Sequence, residues 1–190
     1  RNEARRRWSV GRSPASSLLP PCCKIGLLFR IMEGFYMDKT NAIRQLERKK
    51  QPYSTHSYDG GALSGTEVAA TLGLDAARGF KTLVTTGKSG AHYVFLVPVA
   101  EELDLKKAAK AAGEKSVEMI HVKDITKITG YVRGGCSPLG MKKLFPTVID
   151  ESAKNFAEIY VSGGRIGSQI ELTPENLAKA ANAVFAEIIA

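Results

Sequence analysis

Cysteine and histidine are both scarce in this chain of 190 residues, with three of each. Cys22 and Cys23 are adjacent and unsuited to bridging each other, which leaves Cys136 alone in the body of the chain. A disulfide framework is therefore excluded, and a lone thiol suits a reducing cytosol. His56, His92 and His121 lie far apart, without the spacing of an HExxH or paired CxxC ligand set, so no metal is expected. No run of eighteen apolar residues occurs, which rules out a membrane-spanning helix. There is no GxSxG elbow to support a Ser-His-Asp triad, and no internal repeat.

What is present is ordinary for a single globular domain: 44% hydrophobic and 24% charged residues. The net charge of +8 invites a nucleic-acid reading, but its distribution qualifies it. Residues 1–36 hold seven Lys or Arg against two acids, for +5, while residues 37–190 hold twenty against seventeen, for +3. The first segment has no helical or strand period, and Pro20, Pro21, Lys24 and Arg30 break its only apolar stretch. It lacks the apolar run and small-residue cleavage site of a signal peptide. Arg5 to Arg7 could contact phosphates as a basic arm. The preferred reading is a leader outside the fold (a tag, a translated upstream stretch or a misplaced start), with Met37, or else Met32, as the natural first residue and one domain over residues 37–190.

From there the chain punctuates itself clearly. Asp38 or Thr40 can cap a helix to about Lys50, which Gln51-Pro52 ends. Residues 53–58 read as a short strand, and Asp59-Gly60-Gly61 as a turn. Ser64-Gly65-Thr66-Glu67 is a capping box whose helix ends at Gly73. Residues 80–86 and 91–97 are β-branched and aromatic, joined as a hairpin by Gly87-Lys88-Ser89-Gly90. An alanine- and lysine-rich helix over 103–112 ends at Gly113. A strand at 117–121 and a short helix capped by Asp124 precede the irregular run from Gly130 to Gly140.

Strands are then expected at 147–150, 158–161 and 168–172, the last two separated by Ser162-Gly163-Gly164-Arg165. Thr173-Pro174-Glu175 opens a final helix, with proline at its first position. Leu177, Ala181, Val184, Phe185 and Ile188 line one face of it at helical spacing. The expected class is mixed α/β, and the hairpins argue against a purely parallel sheet.

Three places are chemically suggestive. Gly134-Gly135-Cys136-Ser137-Pro138-Leu139-Gly140 either turns a tight corner or offers backbone amides to an oxyanion or phosphate. Ser162-Gly163-Gly164-Arg165 is a weaker version of the same choice. Lys81, second in an apolar strand, shares a face with Leu83 and Thr85, opposite Phe80, Thr82 and Val84. It either snorkels from an edge strand or points a cation into a pocket. Cys136 has no identifiable base and reads as inert.

Phe80-Lys81-Thr82-Leu83-Val84, the run from Gly130 to Gly140, and Ile159-Tyr160-Val161-Ser162-Gly163-Gly164 together resemble the YbaK/EbsC family, in order and in spacing. That family comprises the Cys-tRNA(Pro) deacylases, relatives of the editing domain inserted in bacterial prolyl-tRNA synthetases. The resemblance runs from about Lys39 to the C-terminus. It implies a curled mixed β-sheet or partial barrel surrounded by helices, and a trans-editing deacylase of the cytoplasm.

It also implies roles for particular residues. Lys81 would engage the tRNA 3′ end or the aminoacyl group. Tyr58, Gly134 and Ser162 would line the pocket, with Ser137 a further contact. The substrate's cysteine thiol would attack its own ester and leave as a cyclic thiolactone, so no protein nucleophile, cofactor or metal is implied. The implied partner is the acceptor end of mischarged tRNA, together with prolyl-tRNA synthetase, rather than DNA or a membrane. Editing of alanine or another small residue, or tRNA binding without catalysis, are the alternatives.

Overall fold

A computed structural model describes residues 39–59, 61 and 63–190. The readings of residues 1–36, Met32, Met37, Cys22, Cys23, Asp38 and Gly60 lie outside the described residues.

Local chemistry sets the element boundaries. Helix α1 (Asn41–Arg48) is capped by Thr40, whose hydroxyl accepts from Ile43 N at 3.3 Å and donates to the Gly163 carbonyl at 2.5 Å. One side chain thus starts a helix and fastens it to a turn 123 residues away. Strand β1 (Ser54–Ser57) follows. Helix α2 (Gly65–Leu72) carries the expected capping box, Ser64 N donating to Glu67 Oε2 at 2.7 Å, and ends at Gly73 in a left-handed conformation. Strands β2 (Phe80–Gly87) and β3 (His92–Pro98) form the expected hairpin. Helix α3 (Leu105–Ala112) begins two residues later than the sequence suggests, because Asp104 caps it by accepting from Lys106 N and Lys107 N.

Strand β4 (Val117–Met119) leads into α4 (Val122–Thr129). Asp124 does not cap α4. His121 occupies the cap position without a side-chain bond, and Asp124 lies in the first turn, where a carboxylate complements the helix dipole. Strands β5 (Thr147–Asp150), β6 (Ile159–Ser162) and β7 (Ser168–Leu172) and helix α5 (Pro174–Ala181) complete the expected set.

The C-terminus differs from the expectation. The final helix stops at Ala181, where Asn182 takes φ 52° and closes it, and strand β8 (Ala183–Ala186) follows. Val184 and Phe185 are better suited to a strand than to a fourth helical turn. Strand β8 lies parallel to β5, a partner too distant in sequence for helical periodicity to reveal. Asp150 at the end of β5 secures the segment, accepting from Ile188 N and Ser152 N, each at 3.0 Å.

The strands form two sheets, ordered β1-β7-β6 and β4-β2-β3-β5-β8. Pairing is antiparallel except between β3, β5 and β8. A parallel bridge from Gly79 to Tyr160 joins the sheets, so the expected curled mixed sheet is present, unclosed among the described residues.

Strand β3 is buried on both faces. Val94 and Leu96 belong to the main core with Phe80, Val84, Leu139 and Ile149, while Phe95 and Val97 pack with Ala108 and Ala109 of α3. This explains its unbroken apolar run. Each such side chain contributes about 1.5–3 kcal/mol by leaving water.

Candidate active site

At the seam between the sheets lies a cavity of about 190 Å³. The start of β2 supplies Phe80, Lys81 and Thr82, residues of both faces of the strand, because the cavity meets β2 at its first residues. The facing wall is Ser162 and Gln169, cross-strand partners on β6 and β7, together with Tyr160. Tyr58 joins them through its backbone N–H, which donates to Gly167 O at 3.0 Å. Gly134 and Cys136 close the site from the irregular loop, and Val68 of α2 adds apolar wall.

Lys81, Tyr58, Gly134 and Ser162, separated by as many as 104 positions, thus share one cavity. Ser137 is not among its lining residues. It is fully buried behind the loop, and its hydroxyl accepts from Leu139 N at 3.3 Å.

Lys81 follows the predicted alternation. Its strand neighbour Leu83 packs toward α3, and Phe80 and Val84 pack into the main core. Among the described residues its ammonium has no carboxylate partner and donates one bond, to the Val99 carbonyl at 3.3 Å. Two N–H donors remain for a ligand.

Near it, the Thr82 hydroxyl is buried without a hydrogen-bond partner. Ser162 Oγ accepts from Gly164 N at 3.3 Å and keeps its own proton to donate. Gly134 has φ +84°, a conformation closed to most side chains.

The loop is built to stay in place. Tyr131 donates its hydroxyl to Leu139 O at 2.7 Å and its N–H to Thr129 Oγ1 at 3.0 Å. A Cβ on Gly135 would sit 3.0 Å from the Arg165 and Ile166 backbone, so glycine lets the two turns meet without displacing either. Burial pushes the Cys136 thiol up to about 11, against an opposing bond from Thr129. Cys136 is therefore a neutral wall residue at physiological pH, not a thiolate.

Sequence reasoning missed Thr82, Tyr160 and Gln169. For Tyr160 and Gln169 the signal was available: two-residue alternation from Ser162 reaches Tyr160, and the hairpin register brings Gln169 opposite Ser162.

Residues 61–180 match the model of the aminoacyl-tRNA editing domain family. The chain belongs to that family. EbsC of Enterococcus faecalis, assigned as a Cys-tRNA(Pro)/Cys-tRNA(Cys) deacylase, is 50% identical over 152 residues, which cover 79% of this chain and 93% of EbsC. A solved structure assigned as a trans-editing enzyme for prolyl-tRNA synthetase superposes with a TM-score of 0.70 at 23% identity, covering 81% of this chain and 99% of that one. Another, of a hypothetical protein, gives a TM-score of 0.74 at 22% identity, covering 80% and 100%. Both share the editing-domain fold. Among the described residues, no helix is long and apolar enough to cross a membrane.

Proposed function

We propose that this editing domain removes cysteine from mischarged tRNA(Pro) in trans, in the cytoplasm where charged tRNA circulates. The observation that carries the reading is the Lys81 ammonium, without a carboxylate partner among the described residues, in a small cavity shared with Ser162 and Gly134. Cysteine and proline are close in size, so a synthetase pocket separates them poorly and a second site must clear the error.

The chemistry needs positioning and charge stabilisation more than a protein nucleophile. The substrate's thiol sulfur forms a bond to its own ester carbonyl carbon, and the carbon–oxygen bond to the terminal ribose breaks. The thiol proton ends on the ribose oxygen, so the products are cysteine thiolactone and intact tRNA. Lys81 donates to the oxyanion that develops on the carbonyl, with the Gly134 amide as a second donor. Ser162 and the unpartnered Thr82 hydroxyl hold the aminoacyl group against the β6–β7 wall. The neutral Cys136 thiol takes no covalent part. Prolyl-tRNA synthetase is the partner proposed to deliver the substrate.

The test is multiple turnover. Substoichiometric protein should clear Cys-tRNA(Pro) while Ala-tRNA(Pro) persists. Equal clearance of alanine would place the chain with alanine-editing enzymes, and binding without turnover would make it a tRNA-binding module.

A further inference from the structure

A charged and aromatic cluster continues from the cavity wall along the same sheet face, with Tyr160 belonging to both. Glu171 Oε2 pairs with His56 Nε2 and Glu171 Oε1 with Arg78 Nη2, both at 2.8 Å. Burial, and then the same carboxylate beside it, push the Tyr160 hydroxyl up to about 12. The Arg78 guanidinium stands over the Tyr160 ring at 4.6 Å, and the His56 ring meets that ring edge-on at 5.6 Å. Arg78 Nε also donates to the Glu158 carbonyl at 2.8 Å.

The register connects this cluster to the site. His56 is two residues before Tyr58, Tyr160 two before Ser162, and Glu171 two after Gln169. In a strand, that spacing puts each pair on one face. Arg78 immediately precedes Gly79, whose bridge to Tyr160 joins the two sheets, and Lys81 lies two residues beyond Gly79. The cluster therefore holds the two walls of the cavity together at the point where one carries Lys81 and the other Ser162.

We propose that Glu171 and Arg78 are positioning residues, which set the separation of Lys81 from Ser162 by clamping Tyr160 across the sheet seam. This rests on the cavity being the editing site proposed above. A surface ion pair would do little, but the Glu171 side chain is only 13% exposed and Arg78 27%. Removing Arg78 leaves Glu171 with the His56 ring alone, and removing Glu171 leaves Arg78 with the more distant Glu158 carboxylate at 3.9 Å, so either change weakens the matching of a part-buried charge. Lysine in place of Arg78 keeps the charge but not the planar fork that reaches Glu171, the Glu158 carbonyl and the Tyr160 ring at once.

The test uses Glu171→Gln, Arg78→Met and Arg78→Lys, with Glu187→Gln, in the Lys107 ion pair beside α3, as the control. Glu171→Gln and Arg78→Met should lower kcat on Cys-tRNA(Pro) by about 10- to 100-fold, the loss expected when reacting groups are misplaced by an ångström or less. KM should stay within about twofold, since ground-state contacts remain. Arg78→Lys should recover part of the loss. Amide exchange at Lys81 and Ser162, read without any substrate, should accelerate about tenfold in Glu171→Gln as the seam loosens.

If the variants melt earlier yet show wild-type kcat per folded molecule and unchanged exchange at both amides, the cluster is only a structural staple and the proposal is wrong. If the wild-type protein leaves Cys-tRNA(Pro) intact, the functional reading fails, and the exchange measurement still decides whether the clamp sets the seam.

Discussion

Lys81 and Ser162 belong to different sheets yet line the same cavity, brought there by the bridge between Gly79 and Tyr160. Neither sheet alone forms the site. The proposed chemistry therefore depends on how the seam is held as well as on which residues line it.

Lys81 is the residue on which turnover should depend most. Lys81→Ala removes the one cation of the wall among the described residues and should lower kcat by about 100- to 1000-fold, the range for losing a preorganised electrostatic donor. The fold loses a single part-buried hydrogen bond to Val99 O, long at 3.3 Å and worth about 1 kcal/mol. Stopped-flow or quench assays beside a thermal melt check both halves: activity should collapse while the melting temperature barely moves.

Cys136 makes the opposite prediction. Cys136→Ala should keep turnover near wild type, because the thiol is neutral and takes no part in bond making. With the thiol raised from its ordinary value near 9 to about 11, the folded state holds a proton that the unfolded chain has lost between those values. Its contribution is therefore complete below pH 9 and disappears as pH rises toward 11. Denaturant titrations at pH 8 and pH 10.5 should show a smaller fall in stability for Cys136→Ala than for wild type, and an equal fall would contradict the burial argument.

Most of the elements were legible because their determinants are local. The Ser64–Glu67 capping box, the Gly73 and Gly113 helix ends and the β2–β3 hairpin all follow from neighbours in sequence. The last helix was overextended because Val184, Phe185 and Ile188 continue a helical spacing, whereas pairing with β5 decides their state. Lys81 stood out as a charge in an apolar strand. The cluster around Glu171 did not, since His56, Arg78, Tyr160 and Glu171 come from four separate segments and meet only through register and the sheet seam. The resemblance offered Ser137 as a further pocket contact, whereas its hydroxyl accepts from the loop's own Leu139 N.

Gly135 should tolerate nothing larger. Gly135→Ala places a Cβ 3.0 Å from backbone atoms of Arg165 and Ile166, which cannot swing away as a side-chain tip would. The expected cost is about 1–3 kcal/mol, the usual range for overpacking. Turnover should fall as well, because the displaced loop carries Gly134. Urea denaturation gives the first quantity and single-turnover kinetics the second.

Asp150 tests the C-terminal correction. Its two carboxylate oxygens accept from Ile188 N and Ser152 N, and asparagine offers a single acceptor oxygen for both. Asp150→Asn should therefore destabilise the protein by about 1–3 kcal/mol, the cost of a buried donor left unsatisfied. Hydrogen exchange should rise first in β8, while kcat per folded molecule stays unchanged. Preserved protection in β8 would mean that the strand is held by something other than this carboxylate.

In the proposed reaction the substrate's own thiol performs the displacement while the protein positions it. Deacylation of Cys-tRNA(Pro) and Ser-tRNA(Pro) under identical conditions tests this directly, since the two substrates differ only by sulfur against oxygen. Attack by the substrate's thiol predicts rapid clearance of the cysteinyl form, cysteine thiolactone as its first product, and survival of the seryl form. Equal clearance of both, with free amino acid as the first product, would contradict it.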